Sequence, residues 1–412
     1  MKECKYLYLS ISPYDKGVYQ TQVIDWLNLY REHGLEFELT QLWTTNPLSR
    51  SRKLYQKEQN KMIKEAYKGP FQAWNLFPRT FRLDYFDRFL FLFRLRKYLK
   101  EYKKVVLFCR YNGAFVVSFV NRFYPGRVIY YADLRGASTE EYIDRLKYNR
   151  DFSKSTYEQI ARYYYNSFFS QKVATKVFAV SRALIQHYVN LFDSDSSKFV
   201  LYPCLSTTSK FYFLQEVRAK MRKELGIADK EDVFIYTGSL DASYNCVDAI
   251  VALFASIHAK NPHARLLIVA KKITKEFQSL LDKYQGIKES VLVKESVPNQ
   301  EMVKYLNAAD CALLLRKNVV LNNVSSPVKF AEFQLCGLPV IISESVFDYA
   351  GYCEKHHTGF VLSNESLDQM EFDEVSSIDL RKFNREEIAI LGANNLSKES
   401  HVERIISELK VY

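Results

Sequence analysis

From Val233 to Leu362 the sequence alternates short apolar runs with helical periodicity, and few folds satisfy that pattern. Strands read at 233–237, 265–270, 290–294, 311–315, 339–343 and 359–362, with helices between the first five at about 246–260, 274–285, 299–308 and 326–336. Strands separated by single helices form a parallel sheet with right-handed crossovers. Such a sheet takes its ligands beyond the carboxyl ends of its strands. The residues to inspect are therefore Gly238 and Ser239 after the first strand, Ser296 and Val297 after the third, and Arg316 after the fourth. Gly238-Ser239 can bring backbone N–H groups to a phosphate.

The segment from Asn322 to Ile341 reads NNVSSPVKFAEFQLCGLPVI. Ser326 is placed to cap a helix, and Pro327 to start it. Lys329 and Glu332 then share a face. A helix N-terminus carries free N–H groups and partial positive charge, which suit a phosphate. Lysine there adds a full charge, and a carboxylate one turn on can take ribose hydroxyls. The other reading of this motif alone is a capped surface helix with an i,i+3 ion pair.

The spacing S-P-x-K-x-x-E-x-x-x-C-G-x-P-V-I resembles the donor-nucleotide motif of retaining glycosyltransferases of family 4, the bacterial polysaccharide-assembly type of glycosyl transferases group 1. VFIYTGSLDASYNCVDAI (Val233 to Ile250) and VPNQEMVKYLNAADCALLLRKN (Val297 to Asn318) resemble the same family in order and spacing, and so do GVYQTQVIDW and VFAVSRALIQHY in the first half. The likeness is strong over about 230–345 and weak before 200. It implies the GT-B fold, two doubly wound Rossmann-like α/β lobes facing across a cleft. It implies a nucleoside-diphosphate sugar as donor (UDP- or GDP-linked), no cofactor, and retention at the anomeric carbon. Glu332 would hold ribose; Lys329, Gly238, Ser239 and the helix at Ser326 and Pro327 would hold the diphosphate, with Arg316 helping. Ser296-Val297 resembles the place where backbone groups meet the base. Two departures stand out. The family usually carries a second glutamate where this chain has Val324, and a basic residue where it has Ser243-Tyr244-Asn245-Cys246. Asn245 is kept as a donor-side candidate.

Before residue 200 the chain opens with a strand at Lys5–Ile11, a turn with Gly17 as a further donor-side candidate, a helix from about Val18 to His33, and a strand at Glu36–Leu42. Gly17 is either an ordinary tight turn or a close approach to ligand. Val105–Cys109 and Val128–Ala132 read as buried strands. Arg110 follows the first; Asp133 and Arg135 follow the second. These three are the acceptor-side candidates, with Asp133, Lys329 and Glu332 the catalytic set. A loop salt bridge is the alternative for Asp133 and Arg135. A helix spans about Thr156–Lys172, a strand Val177–Val180, a helix capped by Ser181 follows, and a strand covers Lys198–Tyr202. The expected lobes are 1–205 for the acceptor and 206–383 for the sugar nucleotide, with helices in 384–412 returning toward the first lobe.

Charge separates the halves. Residues 1–200 hold 33 Lys and Arg against 19 Asp and Glu, a net +14, and 201–412 hold 25 against 28, a net −3, which sum to the +11 of the chain. Phe77–Lys104 mixes basic and large apolar residues at helical spacing. It is either a helix lying on an anionic membrane surface or a core helix with a basic outer face. No nucleic-acid motif accompanies it. The apolar runs are too short to cross a bilayer, and the N-terminus reads as a strand rather than a signal peptide. Seven scattered cysteines suit a reducing cytosol. No metal-ligand spacing appears, and Asp193-Ser194-Asp195 reads as a solvated loop. The expected location is cytoplasmic, peripheral at the inner face of the plasma membrane. The expected acceptor is a glycan or polyprenyl-diphosphate-linked glycan of bacterial surface polysaccharide assembly. A soluble acceptor, or a non-catalytic GT-B subunit, is the alternative.

Overall fold

The computed structural model describes residues 1–44, 49–76, 84–110, 113–149, 153–242 and 244–411. The chain divides into two compact units, Met1–Pro203 with Val402–Tyr412, and Cys204–His401.

The first unit holds seven strands: β1 (Lys2–Ser10), β2 (Phe37–Thr44), β3 (Phe71–Leu76), β4 (Tyr102–Cys109), β5 (Val128–Leu134), β6 (Lys176–Ala179) and β7 (Phe199–Leu201). They form one sheet in the order β3-β2-β1-β4-β5-β6-β7, and all its pairings are parallel. β4 is central because Val105–Cys109 is apolar on both faces and fully buried. The strand order reverses between β1 and β4, the switch point of a doubly wound sheet.

Three features differ from the sequence reading. The helix expected from Val18 to His33 is present but irregular: it starts at residue 18, widens into a π-helical turn over Gln20–Ile24 and is regular over Asp25–Glu32. The Asp15 carboxylate starts it by accepting from the Gly17 and Tyr19 N–H groups at 2.8 and 3.2 Å. Helix Arg50–Ala66 and β3 were not foreseen. In β3 only Trp74 and Leu76 are buried, so the strand carries no continuous apolar run. The basic aromatic segment forms helix Asp84–Glu101; its first part, 77–83, lies outside the described residues. Phe91, Leu95, Tyr98 and Leu99 face the core, while Phe86, Phe89 and Phe93 face outward. No helix among the described residues is long and apolar enough to cross a membrane.

The second unit carries β8 (Val233–Thr237), β9 (Arg265–Ala270), β10 (Val291–Glu295), β11 (Cys311–Leu314), β12 (Val340–Ser343) and β13 (Gly359–Leu362). Their order is β10-β9-β8-β11-β12-β13, with its switch point between β8 and β11. All these pairings are parallel too. Each strand lies within a residue of its expected bounds; β8, β9, β11 and β12 are buried on both faces and write uninterrupted apolar runs, while the edge strands β10 and β13 are only partly buried.

Helix Arg385–Leu396 belongs to the second unit and helix Val402–Leu409 to the first. The latter is tied down where Lys176 donates to the Glu408 carboxylate at 2.7 Å and His33 meets Glu403 at 2.5 Å.

Candidate active site

Helix Val328–Leu335 is N-capped by Pro327, which makes no side-chain cap bond. Ser326, expected as the cap, does other work. Its hydroxyl accepts from the Cys204 N–H at 3.0 Å and shares a hydrogen bond with the Tyr349 hydroxyl at 2.8 Å. Partners outside the helix win because Ser326 is buried between them, where a lost bond costs more than a missing cap. Phe330 stacks on Tyr349 at 4.3 Å, so the helix start is held from the side.

The other end is clamped by close backbone approach. Gly337 has φ +69°, and a Cβ there would lie 2.2 Å from the Arg385 carbonyl oxygen. A Cβ on Gly392 would sit 2.8 Å from the Gln334 backbone. The buried Arg385 guanidinium donates to the carbonyls of Asn307, Ala309 and Cys336, at 3.1, 2.7 and 2.8 Å. Helix Arg385–Leu396 thereby fixes the height of helix Val328–Leu335 over the sheet.

That height puts Lys329 at the switch point. Its Nζ donates to the Thr237 carbonyl at the carboxyl end of β8. The next residue, Gly238, has φ +155°, and a Cβ there would stand 2.7 Å from Lys329 Nζ and 2.9 Å from the Tyr236 hydroxyl. Only glycine leaves that space open. The Tyr236 hydroxyl and the Asn245 amide both donate to the Ser239 carbonyl, at 2.7 and 2.9 Å. Asn245 also forms an isolated bridge with Arg316. The Arg316 guanidinium lies over the Tyr244 ring, 4.7 Å from its centroid. Its Nε is buried with no hydrogen-bond partner among the described residues. Gly238, Ser239, Asn245, Arg316 and Lys329 are thus one cluster, drawn from the loops after β8 and β11 and from the helix.

Electrostatics set this cluster apart. Burial pushes the Lys329 ammonium well below its ordinary range; Glu332 opposes that shift and Arg316 adds to it. Burial pushes the Glu332 carboxyl up, while Lys329, Lys398 and Lys210 pull it back. Glu332 is buried. Burial also lowers Arg316. Two half-buried cations, one with an Nε unpartnered among the described residues, favour an incoming anion.

Lys398, wholly buried, and Lys210, exposed, were not anticipated. They come from the loop before helix Val402–Leu409 and from the start of the second unit, so no local spacing pointed to them. Asn322 was missed likewise. It is fully buried and donates to the Tyr244 and Lys317 carbonyls at 3.1 and 2.8 Å, which folds the loop under Arg316. Val324 is buried, so an apolar side chain fills the position of the absent glutamate.

Ser296 ends β10 with φ +54°. Its N–H reaches the Ala270 carbonyl and its hydroxyl the Lys271 carbonyl, both at 2.9 Å. Ser296 and Val297 share the sheet's carboxyl edge with the cluster but lie two strands from β8.

In the first unit the expected residues are closed in. The Asp133 carboxylate is fully shielded, pairing with Arg135 Nε at 2.6 Å and accepting from the Tyr8 hydroxyl at 2.6 Å. Asp133 does not present the open carboxylate expected at a cleft, because β1 and the Arg135 side chain cover it. The Arg135 guanidinium lies 4.3 Å from the Tyr202 ring centroid and donates to the Gln22 carbonyl at 3.3 Å. Arg110 donates to the Gln22 side chain at 2.8 Å. Tyr111, Asn112 and Ser243 lie outside the described residues. The Gly17 amide is taken by Asp15, which favours the tight-turn reading.

Two parallel-sheet lobes, the second with half-buried cations at its switch point, define the class: this is the fold of GT-B glycosyltransferases. Solved structures that share it include a glycosyltransferase from Rickettsia africae (14% identity, TM-score 0.66, covering 98% of this chain and 97% of that one). Anabaena HepE in complex with UDP gives 13% identity, TM-score 0.63 and 98% and 99% coverage. WaaG, a glycosyltransferase involved in lipopolysaccharide biosynthesis, gives 16%, 0.59, 98% and 99%. Likeness at this identity shows the fold; the enzyme class comes from the sequence family. Residues 217–374 match the family Glycosyl transferases group 1, and the protein is a glycosyltransferase whose second lobe carries that domain. No curated protein matches the sequence.

Proposed function

We propose that the protein transfers a sugar, with retention at the anomeric carbon, from a nucleoside-diphosphate sugar to a glycan or lipid-linked glycan acceptor. The observation that carries this reading is the cluster at the β8–β11 switch point. Lys329 and Arg316 are half-buried cations beside a glycine that keeps the approach to the backbone open.

Departure of a nucleoside diphosphate builds negative charge. Fixed cations and dipoles stabilise that charge without reorganising. In the proposed assignment Lys329, Arg316, Gly238, Ser239 and the helix start at Ser326 and Pro327 take the diphosphate. Asn245 holds the loop, Glu332 takes ribose hydroxyls, and Ser296 and Val297 meet the base. The acceptor attacks on the face the diphosphate leaves, and a diphosphate oxygen takes its proton. Arg110 and Arg135 are the acceptor-side groups, and Asp133 acts through Arg135 rather than on the sugar. The UDP held by Anabaena HepE makes UDP the first nucleotide to try.

The proposed setting is bacterial surface polysaccharide assembly on the cytoplasmic face of the plasma membrane, with the 77–104 segment meeting anionic lipid. The test is release of nucleoside diphosphate from a panel of sugar nucleotides, with and without a polyprenyl-linked acceptor. Release and transfer support the reading. The buried Val324 favours one competitor, a non-catalytic subunit, which binds nucleotide yet releases none.

A further inference from the structure

We infer that the first lobe docks on an anionic lipid surface through a platform of three helices, Asp84–Glu101, Ala114–Val120 with the turn after it, and Lys154–Val173. The inference rests on the membrane reading above and extends it beyond the 77–104 segment.

Helix Asp84–Glu101 is apolar on two faces. Phe91, Leu95, Tyr98 and Leu99 enter the core. The opposite face carries Phe86, Phe89 and Phe93 at helical spacing, 57%, 47% and 68% exposed. Past Phe93 the same face turns basic, with Arg96, Lys97 and Lys100 all exposed. The stripe continues sideways. Phe89 meets Phe119 edge-on at 4.9 Å, and Phe119 meets Phe123 at 5.4 Å. Arg88 lies over Phe115, which stacks on Phe169 at 4.5 Å, and Tyr165 stacks on Phe169 at 6.0 Å. Phe123 and Tyr165 are 56% and 55% exposed. Contiguous exposed aromatics on this scale mark a docking surface.

Charge chooses the occupant. Protein–protein interface cores are depleted of lysine, yet Lys97 and Lys100 continue the phenylalanine stripe. Lysine stems beside buried rings can place their ammonium groups among lipid headgroups. A second copy would oppose the same basic residues to one another, which repel. The excess of 33 basic over 19 acidic residues in 1–200 suits a negative leaflet.

The test is flotation of the full chain with vesicles of phosphatidylcholine and phosphatidylglycerol, and with phosphatidylcholine alone. Two variants are compared, one with Phe86→Ser, Phe89→Ser and Phe93→Ser, the other with Phe123→Ser and Tyr165→Ser. All five positions are exposed, so melting temperatures should stay at the wild-type value. The wild type should float on the anionic vesicles, and each variant should lose about tenfold or more in partitioning. A wild type that floats on neither vesicle overturns the membrane reading and the platform together. A wild type that floats as well as Phe123→Ser/Tyr165→Ser leaves the membrane reading standing and overturns the platform. A wild-type dimer that these variants disperse, with no flotation, assigns the face to a second copy and overturns the lipid assignment.

Discussion

The two lobes each place a basic and an acidic side chain near the carboxyl end of a parallel sheet, and the two pairs are held differently. Asp133 and Arg135 are in direct contact: the carboxylate meets Arg135 and accepts from Tyr8, and the guanidinium lies over Tyr202 and donates to Gln22. Lys329 is held by the Thr237 carbonyl, its interaction with Glu332 is electrostatic, and burial drives both groups toward their neutral forms. A charge paired directly inside the fold is part of the architecture. One compensated mainly at a distance has room for a further partner.

The largest effect expected from this contrast is on stability. Asp133→Asn leaves Arg135 buried without its counter-charge, a loss of about 3–5 kcal/mol. Thermal melting should show it, while kcat of the surviving folded enzyme changes little. A fall in kcat with an unchanged melt would instead put Asp133 in contact with the sugar.

Lys329→Ala should behave in the reverse way. Loss of a preorganised cation facing a leaving group lowers kcat by about 10²–10³, and steady-state kinetics with the preferred sugar nucleotide would read it. Glu332→Gln should act on binding. Ribose hydroxyls do not change during the reaction, so the donor KM should rise by the equivalent of about 1–3 kcal/mol while kcat is nearly kept. A matching fall in kcat would move Glu332 into the transition state.

The smallest expected effect is a fraction of a proton. Free Lys329 holds its proton less tightly than an exposed lysine, and a bound diphosphate restores that hold. Between the lowered value and the restored one, nucleotide binding should therefore take up protons. Calorimetry at alkaline pH in buffers of different ionisation enthalpy would measure the uptake, and Lys329→Ala should abolish it.

The contrast also explains what the sequence could say. β8, β9, β11 and β12 were legible because doubly buried strands are continuous apolar runs; Gly238 and Arg316 followed from where such sheets bind ligands, and Lys329 from the helix-start motif. β3 was not legible, being half-exposed with Gln72 and Asn75 in its run. Ser326 was read as the helix cap, and the structure puts Pro327 there instead. The partners of Ser326, Cys204 and Tyr349, come from remote segments, and tertiary bonds displaced the local cap. The same remoteness hid Lys398, Lys210 and Asn322. In the first lobe the sequence brought Asp133 and Arg135 to the right strand end, but their closure depends on Tyr8 and Tyr202, far away in the chain.

One experiment sets the two pairs side by side: the rise in melting temperature that saturating UDP gives to wild type, Asp133→Asn and Lys329→Ala. A ligand bound only to the native state raises the midpoint by mass action. The account predicts that Asp133→Asn melts lower than wild type without ligand yet keeps the full UDP shift. Lys329→Ala should start near the wild-type midpoint and lose most of the shift. A full UDP shift in Lys329→Ala, or its loss in Asp133→Asn, would contradict the assignment of the second-lobe pair as the donor site.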